Sequence, residues 1–378
     1  MKIEQNRWTA KEGWQPGTFG QIGNVQLVLV FGSGPILGDK SIMDKLHAAY
    51  PQAHFLGCST AGEILGTEVR DDSLVATAIS FKSATIKGVR VKIGEVKDSY
   101  EAGAKLAGAI DQVGLRHLFV LSDGLKVNGS ELVKGLVANL PDNVHITGGL
   151  SGDGANFKET FVFLDEAPAT GVIAALGLYG NDLLVGYGSF GGWDPFGPSR
   201  IITKSKGNVL YELDGKSALE LYKQYLGEQA KGLPASGLLF PLEVRLQEGE
   251  PALVRSIAAV DEKKQSLTFF GDVPEGARAQ LMKANFDRLV DGSASAAKAS
   301  QDSLGGFKAD LAILISCVGR KVVLAQRTEE EVDAVREVLG EQTALTGFYS
   351  YGEIAPFSVN GKGEFHNQTM TITALGEK

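Results

Sequence analysis

The chain has 378 residues, 43% hydrophobic and 22% charged, with a formal net charge of −8. That is an ordinary globular composition, long enough for two cores or one composite core, and it excludes a disordered or fibrous chain. The acidic balance argues against a nucleic-acid partner, because no cluster of Lys and Arg with interleaved aromatics is present to face phosphates.

No apolar run reaches the ~18 residues of a membrane span. The opening stretch Met1-Lys2-Ile3-Glu4-Gln5-Asn6-Arg7-Trp8 has no apolar signal core, so a cytoplasmic location is expected and no membrane partner. Two cysteines, Cys58 and Cys317, give neither a disulfide framework nor zinc spacing.

In chain order, residues 1–22 read as an irregular lead-in with Gly13, Pro16, Gly17 and Gly20. A first unit follows over 25–64. It has an apolar run at 27–31, a Gly-bearing loop and a helix starting near Ser41, with Ile42 and Leu46 on one face. Pro51 stops the helix, and a run at 53–56 enters Gly57-Cys58-Ser59-Thr60-Ala61-Gly62-Glu63-Ile64. Strands are expected at 74–81 and 85–91 and a helix at 99–110.

The second unit, 117–153, repeats the pattern. Asn128 and Glu131 mark its helix start, Leu132 and Leu136 its apolar face, and Gly148-Gly149-Leu150-Ser151-Gly152-Asp153 its end. Short alternating strands follow at 161–164, 171–179, 183–188 and 201–203, broken by a Gly/Pro loop at 192–198. A strand at 209–213, a turn at Asp214-Gly215 and a helix at 217–226 come next, then strands over 241–272 and one or two helices over 277–299. The third unit, 310–354, has a run at 311–315, a loop at 316–328, a helix from Thr328 with Glu331, and the ending Gly347-Phe348-Tyr349-Ser350-Tyr351-Gly352-Glu353-Ile354. Residues 368–375 alternate as a strand.

Three copies of one β-loop-α-β pattern set the architecture. The expected fold is α/β, with mixed sheets built from these units and a β-rich middle section. A lead-in at 1–22, one domain at 23–213 and a second at 214–378 are expected.

Two catalytic readings fail on spacing. The segment from Phe31 to Ser41 lies between a strand and a helix, but Ser33 replaces the first glycine of a phosphate loop and Asp39 separates Gly38 from Lys40. The serines of the glycine motifs lack the glycine two residues later that a nucleophile elbow needs, since Ala61 and Asp153 stand there. No catalytic residue is assigned, and a non-enzymatic protein is expected, with an enzyme of unassigned chemistry that uses the acid-bearing loops as the alternative.

Loops at equivalent strand ends are where open α/β sheets hold ligands. The candidates are Cys58, Ser59 and Glu63, then Ser151 and Asp153, then Tyr349, Ser350 and Glu353, with Cys317 and Arg320 from the first loop of the third unit. The three acids have two readings: acceptors for turn N–H groups, or partners for a ligand ammonium. Arg320 carries the two-pronged donor geometry that suits a carboxylate. An arginine and acids meeting in one cleft would suit a zwitterionic amino acid.

The glycine motifs, together with Phe31-Gly32-Ser33, Leu213-Asp214-Gly215-Lys216-Ser217-Ala218, Tyr222, Leu226-Gly227, Cys317-Val318-Gly319-Arg320, Ala355-Pro356 and Phe365-His366-Asn367-Gln368-Thr369, give the chain a family likeness. It resembles the FIST family of bacterial sensory proteins over roughly residues 25–375. The resemblance implies a small-ligand sensor, with amino acids as proposed ligands. Some free-standing members look like haem-based nitric-oxide sensors that regulate a histidine kinase or a cyclic-di-GMP enzyme, and no output segment is recognised here. The absence of Cys-x-x-Cys-His excludes covalently attached haem of that type. For non-covalent haem the candidates to reach iron are Cys58, Cys317 and His366.

Overall fold

A computed structural model of the chain describes residues 1–247, 249, 252–357 and 361–378. Each repeated unit places a parallel strand pair in the middle of its own six-stranded sheet. Leu27–Gly32 runs parallel to His54–Ser59, Leu115–Ser122 to His145–Leu150, and Leu311–Cys317 to Ala344–Ser350. Parallel strands need a long return, and helices supply it. They are Lys40–Ala49, Gly129–Asn139, and in the third unit Val318–Leu324 followed by Thr328–Leu339. Antiparallel strands Ser73–Ser80, Val172–Tyr179 and Met370–Glu377 flank the first strand of each pair.

The three sheets exchange strands in a ring. Leaving its pair, the first unit sends Glu63–Leu65 to the third unit's Ala344–Ser350. The second sends Val162–Leu164 to the first unit's His54–Ser59, and the third sends Gly352–Ala355 to the second unit's His145–Leu150. The glycine motifs are these crossovers. At Gly57, Gly148 and Gly347 an added Cβ would lie 2.2, 1.8 and 1.8 Å from the carbonyl oxygens of Val30, Val120 and Leu314. Only glycine lets the paired strands approach so closely before the chain departs.

The inner faces of the sheets meet in one core, where Leu27, Leu29 and Phe31 pack with Phe119, Leu121, Ile313 and Ile315. Their neighbours Val28 and Val30 are buried on the other face, under Ile42 and Leu46 of the first helix. Burial on both faces is why these strands read as continuous apolar runs. Helices cover the other sheets too. Ser99–Ala109 crosses Gly129–Asn139 at Gly103 and Gly135, and Phe286–Asp302 lies on Leu183–Phe190.

The β-rich section is an insert within the third sheet's connection. An eight-stranded sheet and helix Ala218–Leu226 enclose their own core, including Ile202, Leu210, Leu219, Tyr222, Leu267 and Phe269. The expected boundary at 213/214 falls inside this module, since Val209–Leu213 pairs with Lys216–Ser217 and Ser266–Phe269.

Four expectations differ from the structure. The lead-in holds strand Lys2–Thr9, paired along its length with Ser73–Ser80. Its two buried residues, Asn6 and Arg7, are both polar, so the strand shows no apolar alternation. The loop at 192–198 is the start of strand Asp194–Lys206, whose register shifts between Phe196 and Arg200 where Gly197 and Pro198 sit. The helix region over 277–299 divides into strand Arg278–Lys283 and helix Phe286–Asp302. The first helix, expected to start near Ser41, begins at Lys40 under an Asp39 cap, and the helix from Thr328 has no side-chain cap at its start.

Candidate functional site

A cleft of about 980 Å³ opens where the crossovers of the first two units meet the third unit's helix. Ser33, Gly34 and Pro35 form one edge, and Thr60, Ala61, Gly62 and Glu63 lie beside them. Asp71 and Asp72 of the following turn, the segment Asp153–Asn156 with Lys158, Glu159 and Phe161, and Val318, Lys321, Val322, Ala325 and Thr328 complete it. Five carboxylates and two lysines line it, so charges of both signs are present.

Glu63 lies at its base, 1% exposed. One carboxylate oxygen accepts from the Thr60 hydroxyl at 2.5 Å, the other from the Ser73 N–H at 3.1 Å and hydroxyl at 2.6 Å. The third unit reproduces this arrangement. Glu353 accepts from the Ser350 hydroxyl at 2.6 Å and from the Thr369 N–H at 3.2 Å and hydroxyl at 3.0 Å. Burial raises Glu63 to about 7 and Glu353 to about 8, against their hydroxyl and N–H donors, which lower them.

The sign of the resulting pH dependence follows. The folded state binds these protons more tightly than the unfolded chain. Their stabilising contribution is complete below the unfolded value of 4.5 and is lost as pH rises to about 8. A tenfold difference in proton affinity between the two states is worth about 1.4 kcal/mol. Urea midpoints should therefore fall between about pH 6.5 and pH 8, above the range where the burial of neutral His117 and His366 works in the opposite direction, and Glu353→Gln should flatten that slope. An unchanged slope in Glu353→Gln would show that this carboxyl ionises freely in the fold.

Asp153 departs from its two counterparts. Counted from the shared glycine, it stands at the place of Gly62 and Gly352, one residue ahead of the glutamates. Its oxygens accept the N–H groups of Phe157, Lys158 and Glu159 at 2.8, 2.8 and 3.0 Å, and the Tyr351 hydroxyl. Phe157 stacks on Tyr351 with ring centroids 4.6 Å apart. Asp153 thus organises the wall of the cleft.

Of the sequence candidates, Glu63 and Asp153 line the cleft, and the other eight do not. Ser59 accepts the Phe161 N–H at 2.8 Å, and Ser151 accepts the Gly124 N–H at 3.2 Å. Tyr349 donates to Glu331 at 2.7 Å. The Cys58 and Cys317 thiols are buried, and desolvation pushes both well above the usual thiol range.

Arg320 is fully buried. It pairs with Glu331 at 2.8 Å and donates to the Gly191 and Leu289 carbonyls at 2.7 Å each and to the Ser293 hydroxyl at 2.9 Å. No ligand carboxylate can reach that fork, so the clamp expected of Arg320 is spent on the protein's own groups.

Sequence reasoning missed Lys321, Asp71, Asp72 and Glu159. The next residue after Arg320 is the one that enters the cleft. Lys321 donates to the Ala61 carbonyl at 2.9 Å, lies 5.5 Å from the centre of the Tyr349 ring, and pairs with Asp71. Nothing in its sequence neighbourhood marks it, because its partners lie some 260 and 250 residues away.

Haem does not fit this cleft, because no His, Cys or Met side chain lines it to ligate iron. His366 is buried elsewhere, its Nε2 held 3.0 Å from the Ala355 carbonyl. Among the described residues no group of three His, Cys, Asp or Glu side chains is placed to hold a metal ion. Among them, too, no helix is long and apolar enough to cross a membrane.

Residues 26–216 match the FIST N domain and residues 218–356 the FIST C domain. An uncharacterized protein of Methanocaldococcus jannaschii is 25% identical over 359 residues, which cover 83% of this chain and 66% of that protein. The crystal structure of cyanuic acid hydrolase from A. caulinodans aligns with 100% of this chain and 99% of its own at 8% identity, with a TM-score of 0.38. That score is too low to carry a functional inference.

Proposed function

This chain belongs to the FIST family, whose domains sense small ligands in signalling proteins, and on that premise we propose that the cleft beside Glu63 is its sensing site and that the ligand is a zwitterion of amino-acid size. The observation that carries this is the lining itself. Carboxylates and ammonium groups from all three repeated units face one cavity, and the cavity is large enough for a small molecule. Asp72 and Glu159 are exposed carboxylates suited to a ligand ammonium. Asp153 has its acceptors filled by the wall and shapes the cavity instead.

The role is binding rather than catalysis. Thr60 and Glu63 look like a hydroxyl with a general base. The same pair recurs as Ser350 and Glu353, and neither of those lines the cleft, so a structural purpose accounts for both. Binding shifts an equilibrium between conformers by its differential affinity, and a partner protein reads the outcome. A histidine kinase or a cyclic-di-GMP enzyme is the partner class that the resemblance offers.

Calorimetry with a panel of amino acids tests the reading. Amino acids should bind, and the same molecules blocked at the amine should not. Asp72→Asn should lose a charge-assisted bond worth about 1.5–3 kcal/mol. Asn tolerates the positive φ of 52° at this position, so the fold is kept. Equal affinity for amine-blocked and free amino acids would contradict the ammonium role.

A further inference from the structure

Lys321 is held in a way that leaves one of its positions open to exchange. Its side chain is 19% exposed, with the ammonium lodged between the Tyr349 ring and the Ala61 carbonyl. Gly62 makes that lodging possible, because a Cβ there would lie 2.4 Å from the nitrogen. An ammonium has three donors. Ala61 takes one and Asp71 another, and no third acceptor is present among the described residues.

Asp71 is held far more loosely. It sits in the turn between strands Glu68–Arg70 and Ser73–Ser80, its side chain is 66% exposed, and Lys321 is its one hydrogen-bond partner among the described residues. Exposed ion pairs contribute little, because water competes for both charges. The ammonium is therefore fixed by buried groups, while its carboxylate partner is replaceable.

We propose that Lys321 anchors the carboxylate of the ligand, and that Asp71 occupies this place until the ligand displaces it. The proposal rests on the cleft being the sensing site and names the anionic group that the site takes. The neighbouring charges agree with it. Glu63 lies beneath with its own donors from Thr60 and Ser73. The other cleft lysine, Lys158, is exposed and has no fixed side-chain acceptor among the described residues, so it is less well organised to hold an anion. Displacement also unties the turn at residues 71 and 72 from the third unit's helix, which couples occupancy to a contact between units.

The test uses acetate as a minimal anion and ethylammonium as a minimal cation, each titrated into the protein with labelled alanine methyls. The Ala61 methyl reports on the anchor. Acetate should shift it saturably, and Asp71→Asn should tighten acetate binding by about two- to five-fold, since an exposed competitor of that strength has been removed. Lys321→Gln should abolish the acetate response and Lys321→Arg should restore part of it. Weaker acetate binding in Asp71→Asn, or an unchanged response in Lys321→Gln, overturns the proposal. If amino acids still shift the cleft methyls in Lys321→Gln with unaltered affinity, the anchor is wrong and the sensing site stands. If neither acetate nor any amino acid shifts those methyls, both fall.

Discussion

Glu331→Ala should destabilise the protein by about 3–5 kcal/mol, because it leaves the guanidinium of Arg320 buried without its counter-charge. Both side chains are 0% exposed. Glu331 also accepts from Ser316 at 2.9 Å, Ser293 at 3.2 Å and Tyr349 at 2.7 Å, so three further donors lose their acceptor. The urea midpoint should fall with the slope of the transition unchanged. Replacing both partners, Arg320→Met with Glu331→Leu, should be less damaging than Glu331→Ala alone, because no unpaired charge remains. A Glu331→Ala protein as stable as the parent would show that the pair is not the buried tie described here.

Gly347→Ala should be comparably severe. The added Cβ would lie 1.8 Å from the Leu314 oxygen, 2.7 Å from its carbonyl carbon and 2.9 Å from its nitrogen. All three are backbone atoms of the central parallel pair, so no side chain can rotate away. Overpacking ordinarily costs about 1–3 kcal/mol, occasionally more, and a clash with fixed backbone belongs at or above the upper end. The same change at Gly207, where nothing lies within 4 Å but φ is +57°, isolates the smaller cost of backbone strain. If the two variants lose equal stability, close approach is not the reason for glycine at the crossover.

The parallel pairs were legible because strands such as Leu27–Gly32 are buried on both faces and so read as unbroken apolar runs. The strand exchange was not, since nothing local distinguishes Glu63–Leu65 leaving for a different sheet from an ordinary turn onward. Strand Lys2–Thr9 was missed because the residues it buries, Asn6 and Arg7, are polar, so no apolar alternation marks it. Of the three glycine motifs, the first two border the cleft, and Glu63 and Asp153 are their acids that line it. Arg320 and Lys321 could not be ranked. Neighbouring residues on a helix point about 100° apart, and only the packing of that helix decides which charge turns inward.

The account stands or falls on where an amino acid binds. Methyl spectra of alanine- and valine-labelled protein, recorded through a titration with the tightest binder of the amino-acid panel, locate it directly. The prediction is saturable shifts at Ala61, Ala155, Ala325, Val318 and Val322, all of which line the cleft. Methyls of the inserted module, such as Ala218 and Ala277, should stay in place. Saturable shifts confined to that module, or no shifts at any amino-acid concentration, would contradict it.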